Sequence, residues 1–100
     1  MNNKEQVSLD EVEMVFKALA STQRLSIFSL VCKHENICAK EISKELQLSQ
    51  PDISYHLSKL TQAGVLKKSK DGIKHCYDLN NELLESIGIK PQVLLNITRR

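Results

Sequence analysis

The stretch Glu41–Leu66, EISKELQLSQPDISYHLSKLTQAGVL, constrains the fold more than any other part of this 100-residue chain. Ile42 and Leu46 stand four apart and share a helix face, with Ala39 one turn earlier. Ile53, Leu57 and Leu60 repeat at i, i+4 and i+7, the spacing of a second half-buried helix. Between the two runs, Ser49 is a good N-cap, Pro51 is tolerated only in a first turn, and Asp52 suits the positive end of a helix. A helix stop followed at once by a helix start gives a helix-turn-helix over 39–64.

Turning Ile53, Leu57 and Leu60 inward places Pro51, Tyr55, Ser58, Lys59 and Gln62 on the outer face, with Gln50, Ser54 and His56 on its shoulders. Such hydrogen-bonding side chains suit base edges and phosphates in a major groove. The competing reading is a solvated face, but ordinary surface helices favour Glu/Lys pairs, and here Asp52 is the one acid.

Ala63-Gly64 ends this helix, because glycine can take the left-handed conformation that closes it. Residues 65–79 then read as a hairpin, Val65–Lys70 and Ile73–Leu79 around an Asp71-Gly72 turn. Lys67, Lys68, Lys70 and Lys74 crowd its tip. A basic hairpin directly after a candidate recognition helix is the wing of a winged helix, its lysines within reach of phosphates. Edge-strand protection is the alternative use of such lysines.

One domain with one modest core fits this length. A domain of this size buries roughly 60–70% of its unfolded surface, so burial against a twin would help. The net charge of +2 matters less than where the charge lies. From Ser54 to Cys76 there are five lysines and one acid, whereas Met1–Val15 holds one lysine against Glu5, Asp10, Glu11 and Glu13. That field favours a polyanion beside helix and wing. No apolar run approaches the ~20 residues of a membrane span and no signal peptide precedes the first helix, so no membrane partner is expected. Three cysteines without a dense framework fit a reducing, cytoplasmic setting. The sequon Asn96-Ile97-Thr98 then reads as coincidence.

Residues 1–8 are polar and read as a flexible arm. Leu9, Val12, Phe16 and Leu19 repeat along an amphipathic first helix whose other side carries Met14 and Val15. Either a second subunit covers one side or the core-facing stripe is wide. Ser21 is the expected N-cap of a second helix, whose Leu25, Ile27, Phe28, Leu30 and Val31 form the spine of the core. Glu35–Ile37 is a candidate edge strand. Two weak helical segments follow the wing, broken by Gly88 and Pro91 and too apolar for free tails. With 9–19, residues 80–98 are read as dimerisation helices, and Arg99-Arg100 as a solvated end or a further phosphate contact.

Phe16-Lys17-Ala18-Leu19-Ala20, Arg24-Leu25-Ser26-Ile27-Phe28, the run from Leu48 to Leu60 and Ala63-Gly64-Val65-Leu66 together resemble the ArsR/SmtB-type winged-helix repressors. The resemblance spans Val12–Leu79, and the order Leu-Ser-Gln-Pro, then Ser-Tyr-His-Leu, is far more specific than a bare helix-turn-helix. It implies a mainly α fold with a small antiparallel hairpin, and a homodimer that binds a pseudo-palindromic operator on double-stranded DNA and represses. Many members release DNA when a metal ion, an arsenical or a thiol oxidant reaches the dimer. The resemblance implicates Gln50, Ser54, Tyr55 and His56 in groove contacts and Lys70–Lys74 in the wing. The usual Asp-Pro-Thr-Arg stands here as Ser21-Thr22-Gln23-Arg24, so only its arginine remains, a change expected to affect capping. Residues and resemblance together name Ser49, Gln50, Ser54, Tyr55, His56 and Lys59 on the helix, and Lys68, Lys70 and Lys74 on the wing, as DNA contacts.

Arsenic-responsive relatives carry a Cys-x-Cys pair ahead of the recognition helix, because soft ions need two or three thiolates. The matching run is Cys38-Ala39-Lys40, with a lysine where the second thiol belongs. Zinc-type members use His and carboxylates on a C-terminal helix, and Asn80–Ile89 offers Glu82 and Glu85 without a His. No metal site or cofactor is therefore expected. Cys32, His34 and Cys38 around one loop form the alternative, a soft-metal cluster or a Cys32–Cys38 disulfide if the Cα atoms lie within ~7 Å. Against it, Cys32 suits a small core position. Cys76 is read as packing against the helices. An enzyme finds no support, since no phosphate loop, paired carboxylates or nucleophile–base spacing occurs. A winged helix serving protein–protein contact is the remaining rival, with Tyr55 its one apolar anchor.

Overall fold

A computed structural model describes residues 6–96 of the chain. The elements run α1 (Leu9–Leu19), α2 (Thr22–Lys33), β1 (Ile37–Cys38), α3 (Ala39–Leu46), α4 (Gln50–Gln62), β2 (Leu66–Asp71), β3 (Lys74–Leu79), α5 (Asn81–Ile87) and α6 (Pro91–Leu95). This is a winged helix-turn-helix, mainly helical with an antiparallel sheet in the order β1-β3-β2. Most of the expected N-terminal arm, the last residues of the 80–98 segment, the end of the sequon and Arg99-Arg100 lie outside the described residues.

Local capping chemistry sets the helix limits. Ser8 and Glu11 form a capping box at α1, each side chain bonded to the other's backbone N–H. Ser21 caps α2 by accepting from the Arg24 N–H at 3.3 Å. α3 ends at Gln47, which adopts a left-handed conformation (φ 56°). The Ser43 hydroxyl donates to the Leu48 carbonyl at 2.6 Å, tying that turn. Ser49 then caps α4 by accepting from the Asp52 N–H at 3.2 Å. At the far end of α4, Gly64 has φ +85°, Val65 N–H donates to Leu60 C=O and Gly64 N–H to Thr61 C=O. These two bonds are a Schellman closure, and they aim the chain from the recognition helix into β2.

The core gathers Ile27, Phe28 and Val31 of α2, Ile42 of α3 and Ile53, Leu57 and Leu60 of α4. It is sealed by Val65, Leu66 and Tyr77 at the base of the wing. The strand limits differ from expectation by one or two residues. β1 is Ile37–Cys38 rather than Glu35–Ile37, because Asn36 takes φ 55° and turns the chain out of α2. The wing turns at Gly72-Ile73 rather than Asp71-Gly72, since Asp71 pairs with Lys74. Gly72 (φ +68°) thus takes the first of the two loop positions, where a two-residue hairpin favours glycine.

α1 buries Val15, Ala18 and Leu19, so of the expected stripe Leu9, Val12, Phe16 and Leu19 only its last member is fully buried. Leu9 is 86% exposed and Phe16 55% exposed. The helix is apolar on more than one side, and the shape of the core selects which residues are covered. Among the later helices, α5 is held to the core by Leu84, while Val93 and Leu94 of α6 stay exposed. Leu25, expected in the spine, is likewise exposed.

Candidate nucleic-acid interface

α4 presents its polar side outward. Gln50, Ser54, Tyr55, Ser58, Lys59 and Gln62 are exposed while Ile53, Leu57 and Leu60 are buried. The helix stands as a ridge between two hollows. On the wing side, Gln50, Ser54, Ser58 and Gln62 face Lys68 and His75 across a groove of about 410 Å³ floored by Ala39, Leu57 and Tyr77. On the other side, Tyr55, Lys59 and Gln62 share a hollow of about 310 Å³ with Met14, Lys17 and Arg24. A ridge flanked by clefts is a shape that can enter a major groove while the wing lies along the backbone.

The wing's register sorts its lysines, because cross-strand partners share a face. Lys68 pairs with Tyr77 and Lys70 with His75, on the face turned toward α4. Lys67 and Lys74 pair with Asp78 and Asp71 on the reverse face, so Lys74 reaches outward from the tip rather than into the groove. Among the described residues the only ion pair is Lys17–Glu13 at 3.5 Å, and the wing lysines are thus not neutralised by a bonded carboxylate. Burial pushes the Tyr77 phenol above its ordinary pKa.

Tyr55 is 56% exposed and is steadied from two sides. The Lys59 ammonium lies 5.5 Å from its ring centroid, and the His56 ring meets it edge-on at 5.3 Å. Ser49 is exposed, but its hydroxyl already accepts the capping bond.

His56 requires a correction. It is only 8% exposed, and its Nδ1 lies 3.4 Å from Nη1 of Arg24. A guanidinium can only donate, so Nδ1 is the acceptor in this contact. Arg24 also donates from Nε to the Ala18 carbonyl at 2.6 Å. One arginine therefore ties the end of α1 and the start of α2 to the recognition helix. Its survival in Ser21-Thr22-Gln23-Arg24 was the available signal, and it bears on site geometry as well as on capping. His75 was missed altogether, since only the strand register shows that it faces the groove.

The Cys32, His34 and Cys38 cluster also needs correction. Cys38 is bonded to Cys76 across the β1–β3 ladder, Cys32 is free, and His34 is exposed at the end of α2. Cys76 is thus a bonded partner rather than mere packing. Strand pairing overrides nearness in sequence, since it sets Cys38 opposite Cys76. No group of three or more His, Cys, Asp or Glu among the described residues is placed to hold a metal ion. No helix among them is long and apolar enough to cross a membrane.

Comparison with known proteins converges on one family. The model for the bacterial regulatory protein, arsR family, matches residues 21–68. The arsenical resistance operon repressor of Staphylococcus aureus is 35% identical over 81 residues, covering 81% of this chain and 77% of its own. The crystal structure of the transcriptional repressor PagR of Bacillus anthracis superposes with a TM-score of 0.72 at 30% identity, covering 86% of this chain and 94% of that one. The same fold occurs in the homodimeric winged helix-turn-helix DNA-binding domain of Mb0332 from Mycobacterium bovis (TM-score 0.71, 24% identity, 77% and 71% covered). With recognition helix, wing and these relatives in agreement, the chain belongs to the ArsR family of DNA-binding transcriptional repressors.

Proposed function

We propose that the protein is a homodimeric repressor that reads one operator half-site with each α4. Gln50, Ser54 and Tyr55 address base edges, Ser49 and Lys59 flank them, and Lys68, Lys70 and Lys74 address phosphates. The observation that carries this reading is the shared surface on which the polar ridge of α4 faces Lys68 across one groove. His56 supports the ridge from beneath rather than touching DNA. Dimerisation is supported by apolar side chains on α1 and α6 that the monomer leaves exposed, Leu9, Phe16, Val93 and Leu94. Two α4 helices would then enter successive major grooves, with half-sites roughly one turn (~10 base pairs) apart.

The chain is further read as lacking the two-thiolate site of arsenic-responsive relatives. Lys40 stands where the second thiol belongs, and an ammonium would repel a cation there. Selection of a duplex from a random pool, followed by gel shift, tests the reading. Gln50→Ala and Tyr55→Ala are expected to weaken operator binding by about 1–3 kcal/mol while sparing random DNA. Equal losses on operator and random duplexes would refute base readout by α4.

A further inference from the structure

We propose that the hollow between α1 and α4 is a second phosphodiester-binding site, taking the DNA strand that borders the major groove on the flank away from the wing; the inference rests on the DNA-binding reading above. An α-helix seated in a major groove roughly 12 Å wide has a sugar–phosphate strand on either side. The wing lysines answer one of these strands. On the other flank of α4 lies a concave surface of about 310 Å³ that carries Lys17 of α1, Arg24 of α2 and Lys59 of α4, together with Tyr55 and Gln62.

Arg24 is the best prepared of these groups. Its Nε donates to the Ala18 carbonyl at 2.6 Å and its Nη1 to His56 Nδ1 at 3.4 Å, so the guanidinium is held in place before any ligand arrives. The rest of its donor fork makes no hydrogen bond among the described residues, and no carboxylate among them lies within salt-bridge distance of it. A fixed, planar fork of this kind suits two oxygens of one phosphate. Lys59 and Lys17 add ammonium charges from α4 and α1. Lys17 is bonded to Glu13 at 3.5 Å, but the two side chains are 74% and 61% exposed. Such a pair is weak and screened by salt, so the ammonium can exchange its partner for a phosphate. Three cations against one exposed acid on a concave surface concentrate positive potential there.

Two further observations favour DNA as the source of the phosphate. Tyr55, Lys59 and Gln62 belong both to the hollow and to the exposed ridge of α4, so what fills the hollow is continuous with what the ridge enters. The dimer reading also leaves the hollow open. Around α1, Met14 and Lys17 lie to one side of the buried Val15, Ala18 and Leu19, whereas the exposed Leu9 and Phe16 assigned to the dimer lie to the other.

The test uses full-length Lys17→Ala, because Lys17 is exposed and, unlike Arg24, ties no other element in place. Fluorescence anisotropy over about 50 to 200 mM salt reads the slope of log K against log salt on the selected operator and on a scrambled duplex. In the variant the slope should be shallower by about 1.8 on both, for two phosphates per dimer at roughly −0.9 each, so the loss caused by a fourfold rise in salt shrinks about twelvefold. A scan of operators carrying one neutral methylphosphonate linkage at a time then locates the contact. Wild-type protein should respond at two clusters of linkages per half-site, one on each strand. Lys17→Ala should lose the response at one cluster and Lys70→Ala at the other. A slope equal to that of wild type, or a response lost at the same cluster in both variants, overturns the proposal. Wild-type protein that binds neither duplex would instead overturn the DNA reading on which it rests.

Discussion

Salt dependence of operator binding offers a quantitative check on the wing. Lys68 and Lys70 share the face turned to α4, Lys74 projects from the tip, and no carboxylate among the described residues lies within salt-bridge distance of any of the three. A dimer carries two wings and so six such ammonium groups. If each neutralises one phosphate, the wings contribute about −5.4 to the slope of log K against log salt, at roughly −0.9 per phosphate. Raising salt fourfold, from about 50 to 200 mM, should then lower affinity through the wings by about 1,800-fold. Lys70→Ala removes two contacts per dimer, makes the slope shallower by about 1.8 and cuts that loss to about 150-fold. Fluorescence anisotropy across four salt concentrations, on operator and on a scrambled duplex of equal length, measures both slopes. Because phosphates carry no sequence, the change should be the same on both duplexes. An unchanged slope, or a loss confined to the operator, would refute the placement of Lys70 on the backbone.

Gly64→Ala should destabilise the fold by about 1–2 kcal/mol, because φ is +85° and the new Cβ would sit 2.7 Å from Leu83 Cδ2. Gly72→Ala meets open space and should lose less, roughly 1 kcal/mol or below; urea melts in which Gly72→Ala is the worse of the two would contradict this. Phe16→Asp should leave the monomer folded, since Phe16 is exposed, yet weaken the dimer roughly a hundredfold by withdrawing about 3 kcal/mol from two copies. Sedimentation velocity over a concentration series reads that shift. Tyr77, its pKa raised by burial, binds its proton more tightly folded than unfolded. Stability from this group is present below the unfolded value and declines as pH rises through the folded one. Tyr77→Phe should flatten the alkaline limb of a stability–pH curve, and an unaltered limb would contradict the assignment.

The helix-turn-helix was legible in the chain because its limits are local. Ser49 accepts from Asp52 three residues on, Pro51 fits a first turn, and Gly64 closes the helix with bonds to Leu60 and Thr61. Such signals act within one turn, and the period of Ile53, Leu57 and Leu60 settles which side of α4 faces out. The wing was legible to within a residue. Its turn slipped from Asp71-Gly72 to Gly72-Ile73, because hairpin register is set by the whole ladder and not by a dipeptide.

What only the tertiary structure decided are the relations between distant residues. α1 is apolar on more than one side, and the space left by α2 and α4 determined that Val15, Ala18 and Leu19 go inward while Leu9 and Phe16 do not. His56 lies on the shoulder of α4 by periodicity, but Arg24, 32 residues earlier, covers it. Cys38 found its partner 38 residues away rather than at nearby Cys32, because strand pairing places it opposite Cys76. Periodicity and capping act over a few residues and are written into the chain. Which stripe is buried, which histidine is covered and which thiols meet depend on packing between elements, and packing is decided only when the whole core closes.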